Sequence, residues 1–197
     1  MDLGIVIPLV VLPLLVVGGF LWYRRSIEQL TPDETRPVSG VRLTAEALHR
    51  DAEPPWRVVH EIGSALGGVD HVVIGPAGIV AVATVAADRP TCDDLIRNTS
   101  EAQLVSEAAV HRGPVDEVAR PSGVPCRVWA RVFWGVPDPS RPPYEELAHG
   151  SQLVEGQRLR EWLDALTANA DDPLDVAAID RAWQAVVTGI GRPDPLD

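Results

Sequence analysis

Gly68-Val-Asp-His-Val-Val-Ile-Gly-Pro-Ala-Gly-Ile-Val-Ala-Val-Ala-Thr-Val85 is the stretch on which the fold of this chain turns. Two runs rich in β-branched and small apolar residues flank Gly75-Pro76-Ala77-Gly78, a pattern that predicts two strands joined by a tight turn. Residues two apart on a strand share a face. Ala81, Ala83 and Val85 therefore line one side of the second strand, and on the first strand His71 points away from the side that carries Asp70. Upstream, Trp56-Arg-Val-Val-His-Glu-Ile62 predicts another strand. Downstream, Cys126-Arg-Val-Trp-Ala-Arg-Val-Phe-Trp134 is again rich in β-branched and aromatic residues.

Helical signals surround these strands. Leu43 to about Ala52 carries an apolar stripe of Leu43, Ala47 and Leu48 and is stopped by Pro54-Pro55. A helix is predicted over Thr99 to His111, capped by Ser100 or Thr99, with Leu104, Val105 and Ala108 facing inward. After a Pro-rich loop from Val136 to Pro143, Glu155 to Leu166 places Leu159, Trp162, Leu163 and Leu166 at helical spacing. A last helix is predicted to start at Pro173 after Asp172, with Val176, Ile179, Trp183 and Val186 as its stripe. Strands in the middle with helices around them predict an α/β domain with a central mixed sheet flanked by helices. The expected division is an anchor at 1–25, a polar Pro-punctuated linker at 26–40, one domain at 41–190 and a tail at 191–197.

The order helix, strand, strand, strand, helix, strand, helices resembles the nuclease-related domain family, NERD, a branch of the PD-(D/E)xK fold. The resemblance runs from about Val41 to Leu166 and is strongest over Trp56–Ile62 and Val69-Asp-His-Val-Val-Ile-Gly-Pro-Ala-Gly78; Glu101-Ala-Gln-Leu104 and Gly156-Gln-Arg-Leu-Arg-Glu-Trp-Leu163 are weaker echoes. It implies a restriction-endonuclease-like sheet and a metal site built from an Asp on one strand, an acid-x-Lys on the next and a Glu on the first helix. Carried onto this chain, the Asp is Asp70, the helix acid is Glu46, and the acid and Lys positions fall on Ala83 and Val85.

Metal-dependent phosphodiester cleavage needs carboxylates converging on a divalent ion, with a cation to help stabilise developing charge. Here the second strand offers Ala81, Ala83 and Val85, and all 17 basic residues are Arg. The absence of Lys excludes a migrated nuclease lysine, a Walker A lysine and a Schiff-base lysine. Arg89, just past the strand, supplies charge but a different geometry. The residual site candidates are Asp70, Glu46 and Glu61, with Asp70 as the metal ligand and Mg²⁺ as the cofactor if a rearranged nuclease centre exists. The competing reading of Asp70, favoured by the empty second strand, is a structural acid that accepts hydrogen bonds from backbone amides.

Other chemistry finds little purchase. The five histidines, His49, His60, His71, His111 and His149, show no zinc-ligand spacing, and there is no Gly-x-Ser-x-Gly elbow. Cys92 and Cys126 form no CxxC, and free thiols are expected. Without Arg24, Arg25 and Asp2, the 17 basic and 28 acidic residues become 15 and 27, a balance of −12. Such a domain is poorly suited to gathering nucleic acid, although Arg127 and Arg131 on the 126–134 strand are the likeliest core of a local basic patch.

Residues 3 to 23 are uncharged and apolar and end in Trp22-Tyr23 before Arg24-Arg25. At about 1.5 Å per residue this run matches the ~30 Å hydrocarbon core. A cleaved secretory signal is the competing reading, but Met1-Asp2 gives no positive n-region and no Ala-x-Ala site follows. The expectation is a single-pass anchor in the plasma membrane's lipid bilayer with the domain in the cytoplasm. The functional expectation is a noncatalytic binding or scaffolding module with a protein partner, the alternative being a membrane-tethered metal-dependent nuclease.

Overall fold

The computed structural model describes residues 38–60, 62, 66–85, 89–136 and 138–191. The predicted anchor at 1–25 and Glu61 lie outside them, as do the predicted linker up to Pro37 and the tail beyond Gly191.

The hairpin forms as the sequence dictates. Strand β2 (His71–Gly75) and strand β3 (Gly78–Val85) pair antiparallel with Gly75 opposite Gly78, leaving Pro76-Ala77 as a two-residue turn. Gly78 adopts φ 104°, which glycine tolerates without strain, and a Cβ at Gly75 would collide with the Trp56 ring. Strand β1 (Arg57–His60) pairs antiparallel with β2 on the other side, so the first three strands form a meander. Strand β4 (Cys126–Phe133) then lies parallel to β3.

A parallel neighbour requires a crossover, and two helices supply it. Helix α1 (Val38–Asp51) precedes the meander; helices α2 (Arg89–Asn98) and α3 (Glu101–Ala119) lie between β3 and β4. Strands β5 (Tyr144–Glu146) and β6 (Ser151–Glu155) follow, with β6 parallel to β4 and β5 antiparallel at the edge. The six-stranded mixed sheet has the order β1-β2-β3-β4-β6-β5. Helices α4 (Leu159–Ala168) and α5 (Val176–Gly189) close the domain.

Both sheet faces are covered, which is why β2, β3 and β6 read as buried runs rather than as alternating ones. One face carries Val72, Ile74, Ile79, Ala81, Ala83 and Trp129 against Ala108, Val115 and Ala119 of α3 and Ile179, Ala182 and Val186 of α5. The other carries Val73, Val80, Val82, Ala130, Val132 and Val154 against Ala47 and Leu48 of α1 and Leu159, Trp162 and Leu163 of α4.

Several boundaries differ from expectation. Helix α1 begins at Val38 rather than Leu43 and takes in the last three residues assigned to the linker; Pro37, just ahead of it, is suited to a helix start. Helix α3 starts where expected, with Ser100 and Gln103 forming a reciprocal capping box, but it runs through Pro114 to Ala119. Burial of Val115 and Ala119 outweighs the backbone hydrogen bond that Pro114 cannot make. Helix α5 starts at Val176, not Pro173, because Asp175 caps it by accepting the Ala178 amide at 2.7 Å. Val176 consequently lies outside the stripe, exposed, while Ala182 and Val187 are buried. Helix α2 and strands β5 and β6 have no counterpart in the sequence reading.

Candidate functional site

Asp70 sits one residue before β2 and is buried. Its amide donates to the Val82 carbonyl at 2.8 Å, and its Oδ2 accepts the Thr84 amide at 2.6 Å. One carboxylate oxygen is thus spent on the backbone of β3. Charge-assisted bonds to N–H groups of this kind are among the stronger hydrogen bonds in proteins.

Stepping the β2–β3 register back by one places Asp70 opposite Ala83. Ala83 pairs with Arg131 on β4, and Arg131 with Leu153 on β6. The row across the sheet is therefore Asp70, Ala83, Arg131, Leu153, on the face covered by α3. Ala83 is 3 % exposed and contributes only a methyl group to the row. Val85, two residues further along β3, packs beside Cys92, Phe133 and Leu153. Arg131 donates from Nη1 to the Glu107 carboxylate of α3 at 3.3 Å.

Thr84 points to the opposite face and begins a polar chain. Its hydroxyl donates to Thr44 Oγ1 at 2.9 Å, Trp134 Nε1 donates to the same oxygen at 2.9 Å, and Thr44 donates onward to the Gly40 carbonyl at 3.1 Å. Asp70, β3, α1 and the end of β4 are tied into one network, with Thr44 fully buried at its centre. Trp129 and Trp134, five residues apart, do fall on opposite faces: Trp129 packs in the α3-side core and Trp134 against the α1-side core. Nothing in the local sequence marks this network, because it depends on which residues the register makes neighbours.

Glu46, the other candidate among the described residues, does not join Asp70. Glu46 projects from α1 into solvent and pairs with Arg42 at 2.8 Å, an i,i+4 ion pair. Glu61 and the Arg89 side chain lie outside the described residues. Among the described residues no three His, Cys, Asp or Glu side chains are grouped so as to hold a metal ion.

His71 is on the α1 side of the sheet, as its alternation with Asp70 requires, and is fully buried. Its Nδ1 lies 3.3 Å from His60 Nδ1, so one ring donates and the other accepts. Burial first, and the neighbouring His60 ring second, push its pKa down to about 4, and it is neutral at physiological pH. Cys92 and Cys126 are buried and not joined in a disulfide, in separate clusters toward opposite ends of β4. Burial, reinforced by Asp116, pushes the Cys126 thiol up to about 12, which removes it as a nucleophile.

Of the arginines expected to seed a basic patch, Arg127 is exposed and Arg131 is drawn inward against Glu107. Two hollows open on the surface. One, about 930 Å³, runs between the C-terminal part of α3 and α5; the other, about 320 Å³, lies between Pro54-Pro55, Trp56 and α4. Neither contains Asp70 or Arg131. Set against known proteins, the chain is matched by no family model, no curated protein and no solved structure.

Proposed function

We propose that this chain is a single-pass membrane protein whose cytoplasmic domain has a restriction-endonuclease-like, nuclease-related fold without a working metal centre, and that the domain acts as a binding or scaffolding module. The observation that carries the reading is the row Asp70, Ala83, Arg131: one carboxylate bonded to a strand amide, one methyl group, and one guanidinium turned toward Glu107. A divalent ion needs several oxygen ligands converging on one point, and among the described residues this row offers a single acid.

Support for the fold assignment comes from the element order: a helix, a three-strand antiparallel meander, a helical crossover and a strand parallel to the third. On the family resemblance, the acids of a metal site would meet at the Asp70 end of the hairpin. Fold alone does not establish activity, so the reading rests on the residues of the row. The anchor rests on the sequence of residues 3–23 and the Arg24-Arg25 flank. Among the described residues no helix is long and apolar enough to cross a membrane. The acidic balance of the domain favours a protein partner over nucleic acid.

Manganese binding by the full-length chain tests the proposal, read as loss of the free-Mn²⁺ electron paramagnetic resonance signal. The expected result is no saturable loss. Saturable binding that disappears in Asp70→Asn would overturn the reading and install the rearranged nuclease, with Mg²⁺ as its natural ion, in its place.

A further inference from the structure

On the α3 side of the sheet, Trp129 Nε1, Arg131 Nε and Nη2, and Ser151 Oγ are buried and have no hydrogen-bond partner among the described residues. The register makes them neighbours. Trp129 on β4 is paired directly with Ser151 on β6, and Arg131 is two residues along β4 on the same face. By strand geometry the three Cα atoms fall within a patch of about 5 by 7 Å. Trp129 is 2 % and Ser151 1 % exposed. Arg131 keeps only 15 % of its side chain accessible.

The chemistry of the patch is one-sided. Tryptophan and arginine donate and cannot accept, and Ser151 alone can do either. A water molecule brings two hydrogens of its own and would find one acceptor. A ligand made of acceptors fits all of these groups. Arginine's Nε and Nη2 form its side-on fork, which matches two oxygens of one carboxylate or phosphate group. Glu107 engages Nη1 and leaves that fork untouched. Ala83, beside Arg131 in the row, has no oxygen to offer it.

We infer that Arg131 and Ser151, with the Trp129 N–H alongside, form a binding site for a single oxyanion group, either a phosphate or a carboxylate. The nearby acids limit the charge the site accepts: Glu107 balances Arg131, Asp70 lies across Ala83, and Glu155, in the next row of this face, sits 3.7 Å from Arg158. The inference concerns a ligand rather than catalysis and stands apart from the nuclease-related reading. Cleavage activity would defeat that reading and leave this one in place.

The test titrates the purified full-length chain with inorganic phosphate and, separately, acetate, each against chloride at matched ionic strength. The readouts are the unfolding midpoint and the Arg131 Nε–H signal by nuclear magnetic resonance. At least one oxyanion is expected to raise the midpoint saturably and shift that signal, and the one that does so identifies the ligand class. Arg131→Lys keeps the charge but removes the fork and should weaken binding about tenfold or more. Ser151→Ala should weaken it several-fold while leaving the unliganded midpoint little changed. If Arg131→Lys fails to fold, Ser151→Ala and the Arg131 signal decide. No saturable response to either oxyanion, or the same response in wild type and Ser151→Ala, overturns the inference.

Discussion

Lowering the pH from 7.5 to 4 should destabilise this domain through His71, and the size of the effect follows from its burial. In the unfolded chain this imidazole titrates near 6.5; folded, it does so near 4. Between those values the unfolded state binds more protons, so acid draws the equilibrium toward it. His71's contribution is fully present above pH 6.5 and is lost as the pH falls toward 4. At about 1.4 kcal/mol per pKa unit, the loss is about 2 kcal/mol by pH 5 and about 3 kcal/mol by pH 4. That is a large share of a typical domain's stability of about 5–15 kcal/mol. Carboxylates in ion pairs, such as Glu53 with Arg160 and Glu161 with Arg158, also titrate in acid, but they are exposed and contribute little. Urea denaturation at half-unit pH steps, in wild type and in His71→Leu, separates the two sources. The variant places an aliphatic group among Val73, Val82 and the α1 side chains and should flatten the curve between pH 6.5 and 5. Equal slopes in the two proteins over that interval would refute the claim that His71 is held neutral by burial.

Two further outcomes follow from the structure and the sequence. Thr44→Val removes the oxygen on which Thr84 Oγ1 and Trp134 Nε1 converge, and should cost about 1–3 kcal/mol in chemical denaturation through one buried and one half-buried donor left without an acceptor; a loss under about 0.5 kcal/mol would show that the network does not stabilise the fold. In cell fractionation, the full-length chain should stay with membranes through an alkaline carbonate wash and a chain lacking residues 2–25 should not; extraction of the full-length chain by carbonate would remove the anchor from the account.

The hairpin was legible because its turn carries the register with it. Gly75 and Gly78 fix the pairing of β2 with β3, and that pairing fixes which residues stand beside Asp70. The bare Ala81, Ala83, Val85 face could be read directly from alternation. Arg131 beside Ala83 could not, because the parallel β3–β4 register is set by a crossover through α2 and α3 and leaves no local signature. Strand β6 is hidden in the sequence for a different reason: Ser151-Gln-Leu-Val-Glu155 looks half polar, yet all five residues are buried, and Gln152 Oε1 accepts the Trp162 indole N–H at 2.8 Å. Helix α2, with mean hydropathy well on the polar side and Asp93-Asp94 in its middle, reads as a solvated loop. Gly113-Pro114 is a strong local stop signal near the expected end of helix α3 at His111, and tertiary burial of Val115 and Ala119 overrides it.

The central claim is that the Asp70, Ala83, Arg131 row cannot assemble a nuclease centre. The most direct test is cleavage of supercoiled, linear and single-stranded DNA by the full-length chain with Mg²⁺ or Mn²⁺, beside Asp70→Asn. The account predicts no cutting above the level of the variant on any substrate with either ion. Metal-dependent cutting that Asp70→Asn abolishes would contradict it.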